Sequence, residues 1–201
     1  MYQAYREPIT KMANNRAPIK LGEDGNDLWF QSVSGMERYY YFCVVDPSLD
    51  KKLTIFLYNP SSLIGKDKTI NYIKELCKHH GYGSFEIVNL IPQTGGNPDL
   101  VNECFDELNL QIVSNVLEHG SSHVWVGWGG LIKGRTKVLF PTELKYLLKK
   151  HSARLIRVQY SPKNRRGKYP LHPSYLCTRK RKVPVENTYF THFEAKHIDS
   201  Y

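Results

Sequence analysis

The sequence predicts an α/β fold: a three-layer α/β/α arrangement around a central, mainly parallel sheet of four strands, preceded by an antiparallel hairpin. Between residues 53 and 160, short apolar runs alternate with segments whose apolar residues recur at helical spacing. The order is strand, helix, strand, helix, strand, helix, strand, which is typical of right-handed parallel crossovers. With 201 residues, 41% hydrophobic and 23% charged, the chain is long and apolar enough to bury a core.

The chain is expected to form a single domain over residues 1–201. Residues 1–27 are polar and interrupted by proline and glycine, so they predict an arm with little regular structure. The aromatic runs LWFQSV (28–33) and RYYYFCVV (38–45) predict a hairpin within residues 28–52. Residues 53–184 form the expected core, and residues 185–201 are expected to be a C-terminal tail.

The core elements follow from periodicity and from helix-end signals. The predicted strands are LTIFLY (53–58), SFEIVNL (84–90), HVWVGWG (123–129) and ARLIRVQY (153–160). The predicted helices are residues 68–80, a second helix from residues 97–99 to Gly120, and residues 141–151. Gly81 and Gly120 suit helix ends, and proline begins the second and third helices.

The charge predicts a polyanionic partner. The formal net charge is +9, and a basic protein of this size gains affinity for nucleic acid by releasing counterions. The segment from Lys163 to Lys182 is rich in Lys and Arg and contains no acidic residue. Tyr169, His172 and Tyr175 lie among these cations, and such rings stack on bases. The alternative is a solvated loop.

Several classes of protein are disfavoured by what the sequence lacks. It has no apolar run of about 18 residues and no apolar segment near its N-terminus, so a cytoplasmic, monomeric protein without a membrane partner is expected. Its four cysteines are widely spaced without a C-x-x-C pair, so neither disulfides nor a metal site is predicted. It also lacks a glycine-rich dinucleotide motif, a Walker lysine motif and a serine elbow, and no cofactor is predicted.

The candidate site lies where the predicted parallel strands end. Ligands of open α/β sheets bind outside the carboxyl ends of the strands. Polar or aromatic residues follow all four strands, and the loops that carry them should converge on one cleft: Tyr58, Asn59, Pro60, Ser61, Asn89, Gln93, Trp128 and His172.

Most of these residues also have a structural interpretation. Asn59 before a proline is compatible with a simple turn, Asp67 before a helix with an N-cap, and Asn89 with a bond to loop backbone. Trp128 between glycines is compatible with a core position. His172 lies between Pro170 and Pro173 in a stiff, basic loop, which favours a functional role.

Six short motifs resemble a known family. NPSS, KDKTI, HGYG, VNL, WVGWGG and GKYPLHPSYL occur in the order found in the bacterial and phage domain-of-unknown-function 1643 family, and the resemblance covers roughly residues 38–184. That family is in turn similar to the uracil-DNA glycosylase superfamily. The resemblance implies a glycosylase-like fold in which Asn59 positions the attacking water, Asn89 reads the base and His172 stabilises the departing base anion.

The resemblance also implies roles for the neighbouring residues. Asp67 is a hallmark of the family without a clear glycosylase counterpart, and it joins Asn59 and His172 as a candidate catalytic residue. The candidate base-binding residues are Tyr58, Pro60, Ser61, Asn89, Gln93 and Trp128. The candidate DNA-binding residues are Lys163, Arg165, Arg166, Lys168, Ser174, Tyr175, Arg179, Lys180 and Arg181, with Leu176 where the superfamily has its duplex wedge.

The expected function is a monofunctional DNA glycosylase that flips a base out and hydrolyses its glycosidic bond, leaving an abasic site. Ser61 stands where the uracil-specific branch has a tyrosine that blocks groups on C5, so a modified, C5-substituted pyrimidine is the expected substrate. A role in phage–host conflict would suit such an enzyme. The alternatives are a nucleoside- or nucleotide-processing enzyme and a non-catalytic nucleic-acid binding module of the same fold.

Overall fold

The computed structural model describes residues 19–64, 67–95, 106–160, 169–178 and 182–201. Its strands are β1 (Ile19–Asp24), β2 (Asp27–Ser32), β3 (Arg38–Val44), β4 (Lys52–Leu57), β5 (Ser84–Asn89), β6 (His123–Val126), β7 (Leu155–Gln159) and β8 (Tyr189–His192). Its α-helices are α1 (Lys68–His79), α2 (Glu107–His119), α3 (Thr136–Leu139), α4 (Thr142–Lys150), α5 (Pro173–Cys177) and α6 (Lys196–Asp199). Within these ranges, none of the helices combines the length and the hydrophobicity of a membrane span.

The strands of the described residues form one mixed sheet of eight, in the order β1-β2-β3-β5-β4-β6-β7-β8. Strands β5, β4, β6 and β7 are parallel neighbours, and the outer pairings are antiparallel. The predicted α/β class is therefore confirmed. The predicted four-stranded sheet is wrong as a description of the whole sheet, because the four parallel strands are its centre and antiparallel strands extend both of its edges.

The hairpin is confirmed as β2 and β3, but the segments before and after the core were predicted wrongly. Residues 19–24, expected in an arm, pair with β2 as strand β1, and the polar, half-exposed character of this edge strand hides it from a pattern search. Residues 189–192, expected in a tail, pair with β7 as β8. Phe193, Ile198 and Tyr201 are buried, so the C-terminal segment completes the core.

The helices predicted at 68–80 and 141–151 are confirmed as α1 and α4, with small differences at their ends. The predicted helix start at residues 97–99 lies outside the described residues. Within them, Asp106 has extended backbone angles and caps α2, its carboxylate accepting a hydrogen bond from the Asn109 amide at 2.6 Å. A single helix from residue 97 to 119 is therefore not formed.

Helices cover both faces of the sheet. On one face, α1 and α5 pack through Ile73, Leu76 and Leu176 against Ile55 and Ile87. On the other face, α2 and α4 pack against alternate residues of the same strands. The helix after β4, α1, therefore lies on one face of the sheet, and the helix α4 after the neighbouring strand β6 lies on the other face. Such a switch point opens a crevice at the carboxyl ends of the strands.

Candidate functional site

A cleft of about 680 Å³ lies at the carboxyl ends of β4 and β6, where the switch point predicts one. The loop after β4, the start of α1, the loop after β6 and the segment before α5 form its walls. The residues of the cleft that concern its chemistry are Arg38, Asn59, Ser61, Asp67, Gly129 and His172. The structure thus brings together the three candidate catalytic residues predicted from sequence.

Asn59 is held by its amide nitrogen. Nδ2 donates to the carbonyl oxygen of Gly95 at 3.0 Å and to that of Pro60 at 3.3 Å. The Gly95 amide in turn donates to the Pro60 carbonyl at 3.0 Å, so the loops after β4 and β5 are joined at this point. Within the described residues, Oδ1 of Asn59 accepts no hydrogen bond, and this fixed oxygen can accept one from a water or hydroxyl group in the cleft.

Asp67 both caps α1 and holds Ser61. Its Oδ1 accepts a hydrogen bond from the Ile70 amide at 2.9 Å, which is the N-cap arrangement. Its Oδ2 accepts a hydrogen bond from the Ser61 hydroxyl. Asp67 is therefore the N-cap of α1, as its position before the helix indicated. Its carboxylate also holds the Ser61 side chain in the cleft wall.

The protein fixes the tautomer of His172. Its Nδ1 accepts a hydrogen bond from the Ser174 amide at 3.1 Å, as the N-cap of α5, and lies 2.7 Å from the Ser174 hydroxyl. A nitrogen that accepts from a backbone amide carries no proton, so in the neutral ring the proton is on Nε2. Burial lowers the pKa of His172 to about 4, although Asp67 acts in the opposite direction. At neutral pH the ring is therefore an uncharged donor through Nε2.

Glycines of the loop after β6 allow the His172 segment to approach. Gly129 has a φ of +78°, and a Cβ there would lie 2.9 Å from the Cβ of His172. A Cβ at Gly127 would lie 3.4 Å from Pro173 and 3.0 Å from Leu57. The WVGWGG motif therefore serves close packing between β6 and the segment that carries the histidine.

Asn89 lies at the end of β5, is completely buried and is not itself among the residues that line the cleft. It pairs with Leu57, a residue of the cleft wall, in the parallel register of β4 and β5. Its backbone oxygen accepts a hydrogen bond from Asn109 at 2.9 Å, yet neither its Nδ2 nor its Oδ1 has a partner among the described residues. A buried amide without partners is unfavourable in the free protein, and it marks a place where a ligand or water is expected.

The remaining predicted base-binding residues divide into two groups. Tyr58 and Pro60 line the cleft with Ser61, and the Tyr58 hydroxyl accepts a hydrogen bond from Arg135 at 3.0 Å. Trp128 and Gln93 are not among the cleft residues. Trp128 is fully buried and packs edge-on against Phe56 at 5.5 Å between ring centroids, so it is a core residue.

The structure describes only some of the predicted DNA-binding residues. Ser174 and Tyr175 line the cleft. Leu176 is fully buried against the sheet, so the prediction of a duplex wedge at this residue is wrong. The other predicted residues lie outside the described part of the chain: Lys163, Arg165, Arg166, Lys168, Arg179, Lys180 and Arg181.

Sequence reasoning missed Arg38. This residue begins β3, is 2% exposed and lines the cleft. The only signal in the sequence is a cation directly before the aromatic run YYYF, at a position where a buried strand is expected to be apolar.

Comparison with known proteins identifies a family that covers most of the chain. The model of a family described as "Protein of unknown function (DUF1643)" matches residues 38–174, which include every cleft residue named above except Tyr175. No curated protein and no solved structure matches the chain.

Proposed function

The chain belongs to the DUF1643 family, and we propose that this member is a DNA glycosylase-like hydrolase that removes a modified, C5-substituted pyrimidine base from DNA. The observation that carries the proposal is the pairing, in one cleft, of a fixed amide oxygen on Asn59 with a neutral imidazole donor on His172. Hydrolysis of an N-glycosidic bond needs these two functions at opposite ends of the breaking bond.

His172 supports the departure of the base. As the bond between the sugar C1′ and the pyrimidine N1 breaks, its electron pair passes to the base and spreads onto the C2 oxygen. The Nε2 proton of neutral His172 can stabilise that oxygen without being transferred to it, as donors do in an oxyanion hole. The low pKa of His172 keeps the ring in this uncharged donor form at neutral pH.

Asn59 supports the attack on the sugar. Its Oδ1 accepts a hydrogen bond from a water molecule whose oxygen forms the new bond to C1′, and the proton of that water passes to solvent. Because Nδ2 is held by two carbonyl oxygens, Oδ1 keeps one direction without reorganising during the reaction. The proline after Asn59 is buried and further limits movement of this turn.

Asn89 is proposed to read the base. Its Oδ1 can accept a hydrogen bond and its Nδ2 can donate two, and neither atom has a partner among the described residues. A pyrimidine edge carries both donors and acceptors and can bond to both atoms. The side chain shares a sheet face with Leu57, so a base bound against Leu57 lies next to it. Satisfying both atoms of a buried amide would give the correct base an advantage over one with the wrong pattern of donors.

Asp67 is proposed to position residues rather than to react. Both carboxylate oxygens are occupied, one by the α1 backbone and one by Ser61. This holds the small Ser61 side chain in the wall that would face C5 of the pyrimidine, and a larger C5 substituent is accommodated there. The net charge of +9 supports DNA as the partner of a cytoplasmic monomer, and phage–host conflict is a setting that supplies modified bases.

The test is an abasic-site assay. The purified protein is incubated with oligonucleotides that carry uracil, a G·T mismatch or C5-modified pyrimidines, and the strands are then cleaved with alkali. We expect cleavage at one class of modified pyrimidine, and none with Asn59→Ala at equal DNA binding. No cleavage on any substrate, together with tight and salt-sensitive DNA binding, would instead indicate a binding module.

A second candidate function is the processing of free nucleotides. It is favoured by the buried cation Arg38 in a cleft whose volume suits a single nucleotide. Weak DNA binding combined with turnover of a mononucleotide would select this function over the first.

A further inference from the structure

Arg38 has few partners for a buried cation. A guanidinium has five N–H donors. Within the described residues it makes one side-chain hydrogen bond, from Nη1 to the Leu63 carbonyl oxygen at 3.4 Å, and its buried Nε has no partner. The guanidinium carbon lies 5.0 Å from the ring centroid of Tyr41, a contact that favours the charge but satisfies none of its N–H groups.

The charge remains on Arg38 in the folded protein. Burial lowers its pKa to about 10, with Tyr41, Asp67 and Asp27 acting in the opposite direction. The side chain is therefore cationic at neutral pH. No carboxylate of the described residues forms an ion pair with it, and a buried, unpaired cation is strongly unfavourable. An anion supplied by a ligand would remove that cost.

We infer that Arg38 is an oxyanion-binding residue of the cleft and takes a carboxylate or phosphate group carried by the substrate. Two independent features support this inference: the side chain lines the cleft, and it is buried with unused donors. The planar fork of a guanidinium matches the two oxygens of such a group. The oxyanion site rests on the proposed function only in assuming that the substrate occupies this cleft, and the assignment of the anion to the base also takes the pyrimidine and its orientation from that function.

The strand order indicates which part of the substrate carries the anion. Arg38 is on β3, Asn89 on β5 and Asn59 after β4, whereas Gly129, which contacts His172, follows β6. Three strand spacings separate β3 from β6, roughly 14 Å. A pyrimidine that directs its C2 oxygen toward His172 and its edge toward Asn89 therefore directs its C4–C5 side toward Arg38. This favours an acidic substituent on the base over a backbone phosphate.

The binding test uses the full-length protein and four probes: inorganic phosphate, thymidine 5′-monophosphate, 5-carboxy-2′-deoxycytidine and unmodified 2′-deoxycytidine. Isothermal titration calorimetry measures each Kd. We expect the 5-carboxy nucleoside to bind at least about tenfold more tightly than deoxycytidine, and Arg38→Met to remove that preference. Tight binding of the 5′-monophosphate and phosphate alone, again lost in Arg38→Met, would support the oxyanion site and assign its ligand to a phosphate.

Binding that is equal for charged and neutral probes, or a preference that survives in Arg38→Met, would overturn the inference. Arg154→Met is the matched control, because Arg154 also has a buried Nε that no group in the described part of the chain pairs with, but it is not a residue of the cleft. We expect its Kd values to be unchanged. These measurements require no base excision, so they remain decisive even if the proposed glycosylase activity is absent.

Thermal unfolding separates a ligand role from a structural one. If Arg38 is present for a ligand, Arg38→Met should unfold at the same temperature as the wild-type protein or at a higher one, because it replaces an unpaired buried charge by an apolar side chain of similar length. A large decrease in Tm would contradict this. If Arg38→Met does not fold, Arg38→Lys keeps the charge but loses the fork, and an unchanged preference for the carboxylate probe in that variant would overturn the inference.

Discussion

Gly129 and His172 approach each other so closely that a methyl group on Gly129 would lie 2.9 Å from the Cβ of His172. The backbone of Gly129 is also in the left-handed region, with φ at +78°. This contact joins the loop after β6 to the segment before α5 and so brings the histidine to the cleft. The position of the proposed base-stabilising donor therefore depends on a glycine in a different loop.

Gly129→Ala should destabilise the protein by about 2–4 kcal/mol, from the left-handed backbone and the contact with His172 together. It should also lower any excision rate by more than the folded fraction explains, because His172 must move. Gly130→Ala is the matched control, since a Cβ there meets nothing within 4 Å and the backbone is not left-handed. Urea unfolding of both variants checks this, and equal effects of the two substitutions would contradict the role of the contact.

The low pKa of His172 predicts a loss of stability in acid. The folded-state pKa is lowered from 6.5 to about 4, so the neutral ring favours the folded state above pH 6.5, and this contribution is lost as the pH falls toward 4. His172→Asn keeps a capping acceptor but does not titrate. The difference in unfolding free energy between the two proteins should shift by up to about 3 kcal/mol between pH 7 and pH 4.

Parallel urea titrations at pH 7, 5 and 4 measure that difference. His80, His123 and His151 also have lowered pKa values, but they are present in both proteins. Their contributions to the pH dependence of stability therefore cancel in the difference. An identical pH dependence of wild type and His172→Asn would show that His172 is not the group responsible.

Asn89→Leu should leave the free energy of unfolding unchanged or raise it by about 1–2 kcal/mol, because it removes two buried polar atoms without partners from a site of similar volume. The same substitution should abolish base recognition. Chemical denaturation and the abasic-site assay test the two parts separately. A clear fall in stability would indicate that the amide is satisfied in the free protein, and retained excision would contradict its role in reading the base.

Substitutions at Asp67 distinguish positioning from direct chemistry. Asp67→Asn keeps an N-cap oxygen for Ile70 and an oxygen or nitrogen near Ser61, so stability should change by a few tenths of a kcal/mol and activity by less than about tenfold. Asp67→Ala should cost about 1 kcal/mol through the lost cap. A loss of activity in Asp67→Asn as large as in Asn59→Ala would assign the carboxylate a direct catalytic role.

The parallel centre of the fold was predictable because its strands are apolar runs covered on both faces. The edge strands were not, since β1 is polar and half-exposed and β8 has only four residues, each partly or largely exposed. Both form because neighbouring strands offer open hydrogen-bonding edges. The periodicity of a single sequence does not show which strands will pair in this way.

Closeness to a strand end was a poor guide to which residues line the cleft. Asn59 and His172 both line the cleft, although about a dozen residues separate β7 from His172. Trp128 was predicted in the site because it follows a strand, whereas its side chain is buried in the core on the sheet face covered by α2 and α4. Arg38 was missed because it is the first residue of its strand, and only the antiparallel direction of β3 brings that end to the cleft.

The most direct test of the central claim is mass-spectrometric detection of a free base released from DNA that contains C5-modified pyrimidines. We expect the wild-type protein to release the free base and Asn59→Ala to release at least about a hundredfold less. Asn115→Ala, an asparagine on α2 outside the cleft, should release as much as wild type. Release of a nucleoside or nucleotide in place of the base, or equal base release by Asn59→Ala, would show that the cleft does not perform the proposed hydrolysis.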